Sequence, residues 1–303
     1  MDPSPRSESV ATAAPGRSSA PPQTGPPAGL RDLTRADVRW LAWHEAGAHA
    51  LTGREVRDLG DAWMLYDETD REPFWNRIAG IAWPSDPHAF DRRLTEILAL
   101  FAGLDRIPHV WPSPGYDEPA DLTERLLAHG FVDHGGGMLL LLDPDRGPGP
   151  IPPLPAGVTI ERVHRRTGAE AIAAAEAMAA VLVTSFAVEP ERRVAIELEA
   201  VQGLTTDAYH AVIVRVDGQP AAVARRTTFA GASYLSSIGT DPAFRGRGLG
   251  RLVTAIAAAD ALAAGSRWTY LGVFEDNTVA RRLYADLGFD PVGVVGPDLL
   301  LRP

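Results

Sequence analysis

"SSIGTDPAFRGRGLGRLV", residues Ser236–Val253, decides the reading of this chain. An apolar strand runs into a loop of glycine and arginine, and the loop opens a helix. Gly246, Gly248 and Gly250 alternate with Arg245, Arg247, Leu249 and Arg251. The first turn of a helix carries unpaired N–H groups and a partial positive charge. Glycines let an anion approach that backbone closely, so the segment reads as a phosphate cradle. A dinucleotide loop would need Gly-x-Gly-x-x-Gly after a first parallel strand. Here the spacing is Gly-x-Gly-x-Gly, and three strands of antiparallel pattern precede it. A Walker loop needs lysine, and all 29 basic residues of this chain are arginine.

Outward from the loop the order of elements is legible. Upstream, a strand at Val158–Val163 is followed by helices at Ala169–Val183 and Pro190–Gln202. Strands follow at His210–Val216, Ala221–Phe229 and Ser233–Gly239, the first two joined by an Asp217-Gly218 turn that signals a hairpin. Downstream come a helix over Gly248–Ala264, a strand at Trp268–Val273, and a helix from Asn277 to Leu287 closed by Gly288. An apolar strand pair ends the chain.

The stretch "YLGVFEDNTVARRLYADLGF" lies at a fixed distance beyond the glycine loop. With strand, "RGRGLG" and helix before it, residues 157–303 resemble the GNAT superfamily of N-acetyltransferases. The resemblance implies an α/β (α+β) fold, a mixed and mostly antiparallel sheet flanked by helices. It also implies acetyl-CoA as co-substrate and no metal. Arg245, Gly246, Arg247, Gly248, Leu249 and Gly250 would then hold the CoA pyrophosphate. The backbone of Ile238, Gly239 and Thr240 would bind the pantetheine arm and stabilise the oxyanion. Asn277 would contact the pantetheine, although an asparagine there is equally a good helix N-cap. Tyr284 would protonate the departing thiolate; its other reading is packing, in a stripe with Val279, Ala280, Leu283 and Leu287. Many relatives carry a carboxylate base on the strand before the loop. Here the comparable position is Tyr234, with Ser236 and Ser237 nearby, and no Asp or Glu lies between Asp217 and Asp241. A water chain, Glu189 or Glu191 are the alternatives for the base.

Before the linker the chain runs through the same order at shorter length. Helices are predicted at Ala36–Leu51, Pro87–Leu104 and Ala120–His129. Strands are predicted from Ala62, from Asn76, near His109 and at Met138–Leu142. "LTERLLAHGF" (Leu122–Phe131) parallels "ARRLYADLGF" (Ala280–Phe289), which places Leu126 where the later copy has Tyr284. The first unit reads as a degenerate copy: Pro84–Pro87 stand where a glycine loop would be. Six of the seven tryptophans fall in it, as core or as an apolar wall toward the acceptor groove. "HEAGAH" (His44–His49) fails as a zincin motif, because its histidines are five apart and so roughly 140° round a helix. "HGGG" (His134–Gly137) has no nucleophile elbow to serve and reads as a hairpin turn.

The domain plan is a disordered tail at 1–30, a degenerate unit at 31–143, a Pro/Gly linker at 144–156 and a catalytic unit at 157–303. The chain has no cysteine, so disulfides and thiolate chemistry are out. A net charge of −10 argues against nucleic acid as partner, and no membrane span or signal is expected. The expectation is a cytoplasmic N-acetyltransferase acting on a small-molecule or peptide amine by direct attack in a ternary complex. It would be a monomer with pseudo-dimeric domains or a homodimer. The alternative is a non-catalytic acyl-CoA-binding or sensing module.

Overall fold

The computed structural model describes residues 33–302, so the tail expected at 1–30 lies outside them. The first helix, α1 (Arg35–Ala50), begins at Thr34, whose side chain and that of Asp37 cap each other's backbone N–H. There follow β1 (Glu55–Asp58), β2 (Trp63–Tyr66), β3 (Arg77–Ala79), α2 (Pro87–Gly103), β4 (His109–Trp111), α3 (Leu122–Ala128), β5 (Val132–Asp133) and β6 (Gly137–Leu142). Residues 144–156 are turns and irregular backbone. Then come β7 (Val158–His164), α4 (Gly168–Ser185), α5 (Arg193–Leu204), β8 (Tyr209–Val216), β9 (Gln219–Phe229) and β10 (Ala232–Thr240). The chain finishes with α6 (Leu249–Ala263), β11 (Trp268–Phe274), α7 (Thr278–Asp286), β12 (Phe289–Pro291) and β13 (Leu299–Leu300).

Two sheets result, in the orders β1-β2-β3-β4-β13-β5 and β7-β8-β9-β10-β11-β6-β12. The run β1-β2-β3-α2-β4-α3-β5 repeats as β8-β9-β10-α6-β11-α7-β12, with one parallel pair in each sheet, β3 with β4 and β10 with β11. The fifth place in this shared plan is taken by the strand of the other unit. β6 pairs with β11 and β12, and β13 pairs with β4 and β5. The strand expected at Met138–Leu142 is present and pairs in the second sheet, while the strand pair expected at the end of the chain is corrected: β12 and β13 lie in different sheets. The physical reason lies in β6 itself. "MLLLL" is apolar on both faces, which suits a strand covered on both sides. Leu140 and Leu142 point into one core and Leu141 into another.

"HGGG" is accordingly not a hairpin turn but the point where the exchanging arms cross. Gly137 and Gly296 trade backbone hydrogen bonds of 3.1 and 2.9 Å. A Cβ on Gly136 would lie 1.9 Å from the Gly296 carbonyl oxygen, so no other residue fits there.

The second sheet is covered on both faces. α6 and α7 pack on one face, with Leu252, Val253 and Ile256 against Val212, Val214 and Leu271. The opposite face is divided. α4 and α5 cover β7–β9 through Met178, Val181 and Leu204, while α1 of the first unit covers β10, β11 and β6 through Trp40, Leu41 and Trp43. α4 is long and apolar enough to cross a bilayer, but its buried residues are part of this core. The first unit has its own core, of Met64, Ile78, Phe90, Ile97, Phe101 and Leu126.

Candidate active site

β10 and β11 run parallel from Ala232↔Trp268 to Leu235↔Leu271 and then part. Beyond Leu271, β11 bonds only to β6; beyond Leu235, β10 bonds only to β9. A bulge between Ser236 and Gly239, with Ser237 at φ 49°, turns β10 away. The result is a V-shaped opening with the backbone of Ile238, Gly239 and Thr240 along one edge. Gly239 is required where it stands: a Cβ there would lie 2.8 Å from Ser185 Oγ at the end of α4.

The glycine loop follows at the mouth of the V. Gly248 is the N-cap of α6 at φ 76°, and no side chain caps that helix. Leu249, Gly250 and Arg251 donate no backbone hydrogen bond among the described residues. A Cβ on Gly246 or Gly248 would meet nothing within 4 Å. The loop is therefore an open cradle of N–H groups at a positive helix end. Its arginines differ in placement. Arg245 is drawn aside to the carbonyls of Thr240 (3.3 Å) and Ser185 (3.0 Å). Arg251 faces Asp286 at 3.5 Å, and Arg247 lies over Phe244. The first unit contrasts at the equivalent junction: Asp86 caps α2 with its own carboxylate, accepting from Ala89 N at 2.9 Å.

Tyr284 projects from α7 into the cluster that holds Leu235, Leu249 and Leu271, with Ile238 packed against it. Its ring meets Phe289 edge-on at 6.1 Å. Burial raises its pKa to about 12, so the hydroxyl keeps its proton at neutral pH. The anticipated stripe is partly corrected, since Val279 is exposed to solvent while Leu287 is buried. Asn277 accepts from Ala280 N at 3.2 Å and so caps α7 at the rim.

Between α1 and α4/α5 the sheet face is not fully covered. A cavity of about 140 Å³ opens there, lined by Ser236, Ser237 and Tyr234 of β10, by Phe186, Val188 and Glu199, and by His49 and Trp75 of the first unit. A larger apolar cleft of about 230 Å³ adjoins it at Tyr234 and is lined by Phe74, Trp111, Met138 and Phe274. Of the first unit's tryptophans, Trp75 and Trp111 form such walls, whereas Trp40, Trp43, Trp63 and Trp83 are buried core.

Charge in the smaller cavity comes from residues the sequence did not single out for this role. Glu199 bonds Arg225 at 2.7 Å and Arg54 at 3.2 Å. Burial would raise its pKa, but Arg225, Arg54 and His49 hold it below the usual carboxylate range. Both oxygens of Glu45 accept from one nitrogen, Arg77 Nη2, at 2.6 and 2.7 Å, and Oε1 also accepts from His49 Nε2 at 2.9 Å. Burial opposes its charge, yet Arg77 and His49 prevail and its pKa falls to about 2. Glu189 and Glu191 are exposed and do not line the cavity. His44 is buried, between Tyr270 Oη at 2.6 Å and the Phe229 carbonyl at 3.0 Å. The signal for His49 was the i,i+4 spacing of Glu45 and His49 on one helical face.

A sequence profile described as the acetyltransferase (GNAT) family matches residues 174–289. No curated protein matches the chain. Among solved structures, a GCN5-related N-acetyltransferase from Kribbella flavida superposes with a TM-score of 0.65 at 24% identity, over 88% of this chain and 95% of that one. A tandem GNAT protein from the clavulanic acid biosynthesis pathway gives 0.58 at 16% identity, over 89% and 98%. A GCN5-related N-acetyltransferase from Sphaerobacter thermophilus gives 0.56 at 18%, over 89% and 95%. The parted strands, the open glycine loop and the profile agree: residues 174–289 match the GNAT acetyltransferase family, and the chain shares its fold with a tandem GNAT protein.

Proposed function

We propose that the chain is an N-acetyltransferase that moves the acetyl group of acetyl-CoA to an amine. The observation that carries this reading is the parting of β10 from β11 directly before an uncapped, glycine-opened helix N-terminus. The pyrophosphate would lie on the N–H groups of Gly248, Leu249 and Gly250, and the pantetheine along Ile238–Thr240 as a substitute strand. The thioester would then sit where the strands part, with the freed backbone N–H groups of β10 facing the carbonyl oxygen as charge develops on it. The amine would enter from the cavity between α1 and α4/α5, attack the carbonyl carbon and form the C–N bond. As the C–S bond breaks, Tyr284 gives its proton to the thiolate. A tyrosine on α7 in the core beside β10 and β11 supplies a proton donor that simple acyl-CoA sensing would not need. The acceptor chamber takes walls from both units, so the chain would act as its own pseudo-dimer.

The test is acceptor-dependent release of free CoA thiol from acetyl-CoA by the whole chain. A panel of benzylamine, spermidine, glucosamine and an alanyl peptide samples the classes of amine. Release with at least one of them is expected. Tight acetyl-CoA binding with no release for any amine would turn the reading to a sensor.

A further inference from the structure

We propose that His49, on the last turn of α1 in the first unit, is the general base for the acceptor amine. The inference rests on the transferase reading above and supplies the group that β10 lacks. An amine is protonated at neutral pH and cannot attack a thioester until it loses a proton. The position on β10 where many relatives carry a carboxylate is Tyr234, and its phenol is pushed above its ordinary range by burial and by Glu45. The base must therefore come from elsewhere in the acceptor chamber.

The chamber holds few groups able to take a proton. Glu199 has each carboxylate oxygen committed to an arginine and stays ionised well below neutral pH, so it accepts protons poorly. Arg225, the arginine in the chamber wall, is a donor only. His49 is different. Its ring lines the cavity together with Ser236 and Ser237, the residues at which β10 leaves β11. It packs edge-on against Tyr234 at 5.6 Å and Trp75 at 5.1 Å. Nε2 is committed to Glu45 at 2.9 Å, while Nδ1 makes no hydrogen bond among the described residues. A carboxylate on one ring nitrogen fixes the tautomer and leaves the lone pair on the other. Glu45 is in turn held at both oxygens by Nη2 of Arg77 on β3, which is 1% exposed. The order Arg77–Glu45–His49–cavity is a base held by an orienting group that is itself held.

The step balances. Nδ1 takes the ammonium's extra proton and passes it to water; the freed lone pair then bonds the carbonyl carbon, and the second proton that the nitrogen must lose leaves through Nδ1 as the amide forms. The C–S electron pair leaves with sulfur, which takes the Tyr284 proton. The imidazolium then passes its proton to water and Tyr284 is reprotonated from solvent. Glu45 balances the positive charge that His49 gains. The first unit, which has no open phosphate loop, would thus hold half of the acid–base pair.

The experiment uses the whole chain with acetyl-CoA and two acceptors. One is the fastest amine of the panel, cationic at neutral pH. The other is hydroxylamine, largely unprotonated there. His49→Gln keeps a donor for Glu45 and removes the base. It should slow the cationic amine by about 10²–10⁴-fold and hydroxylamine far less, with acetyl-CoA affinity and melting temperature unchanged. His49→Ala should regain rate with added imidazole, in proportion to the free-base concentration. A merely structural histidine would slow both acceptors alike and show no such rescue. A His49→Gln rate within threefold of wild type overturns the assignment and leaves the transferase reading standing. A wild type inert toward every amine overturns that reading, and the base with it.

Discussion

Leu140 lies directly opposite Leu271 in an antiparallel ladder, so a strand from one unit stands in the middle of the other unit's sheet. β6 separates β11 from β12 there, and β13 separates β4 from β5 in the first sheet. Residues 157–303 alone would leave β11 with an unpaired edge and strip Leu140 and Leu142 from the core beneath α6. The expected outcome is an insoluble or unfolded fragment, while the whole chain melts in one transition by calorimetry. A monomeric 157–303 fragment that melts cooperatively and binds acetyl-CoA would contradict the exchange.

Gly248→Asp should weaken acetyl-CoA binding at least tenfold while sparing the fold. Gly248 sits at φ 76° with open space where a side chain would go, and aspartate is among the residues that tolerate this region best. Its carboxylate would lie on the unpaired N–H groups of α6 and repel pyrophosphate. Isothermal titration with acetyl-CoA reads the effect; an unchanged dissociation constant in a folded variant places the phosphate elsewhere.

Tyr284→Phe should reduce kcat by about 10²–10⁴-fold with little change in acetyl-CoA affinity. The ring stays in the cluster with Leu287 and Phe289, so the melting temperature should hold. The hydroxyl acts only as the C–S bond breaks, which puts the loss in the transition state. A drop smaller than threefold would make Tyr284 a packing residue.

Acid should destabilise the contact between α1 and β3 through Glu45. Its carboxyl is near 2 in the folded chain against an ordinary 4.5. A folded pKa below the unfolded one gives stability that is complete above about pH 4.5 and fades as pH falls toward 2, about 3 kcal/mol in all. Asp117 has the opposite sign. Burial, against the N–H groups of Ser113 and Ile81 and the charge of Arg39, lifts its carboxyl to about 6, so its share of stability grows as pH drops from 6 toward 4. Urea denaturation of wild type and Glu45→Gln over pH 3–7 isolates the first effect. The variant should be weaker at pH 7, because Arg77 keeps a buried charge with its partner gone, and its deficit should shrink below pH 4. A constant difference across the range would refute the shift.

The parts of the site built within one stretch of chain were legible beforehand. "RGRGLG" declares a strand, a turn of positive φ and a helix start, and all three are set by neighbouring residues. Helices such as α2, with Phe90, Leu94, Ile97 and Phe101 on one side, are periodic enough to read directly. Sheet order was not legible at the fifth place. Met138–Leu142 reads as a strand in any context, and nothing local to it names β11 as its partner. β1 and β5, with mostly polar or half-buried residues, carry no alternation to notice. Glu199 and His49 escaped for a related reason. Each lies on an ordinary helix, and what sets them apart is the wall they share across two units.

The crossing at Gly136 and Gly296 also fixes the order in which the molecule can be completed as it is made. The first unit emerges from the ribosome early, yet its sheet stays open between β4 and β5 until Leu299 and Leu300 have been synthesised. The second unit likewise lacks β12 until Phe289–Pro291 are made, so both sheets close only with the last residues of the sequence. Through most of synthesis the earlier half must keep an unfilled gap in its sheet away from other nascent chains.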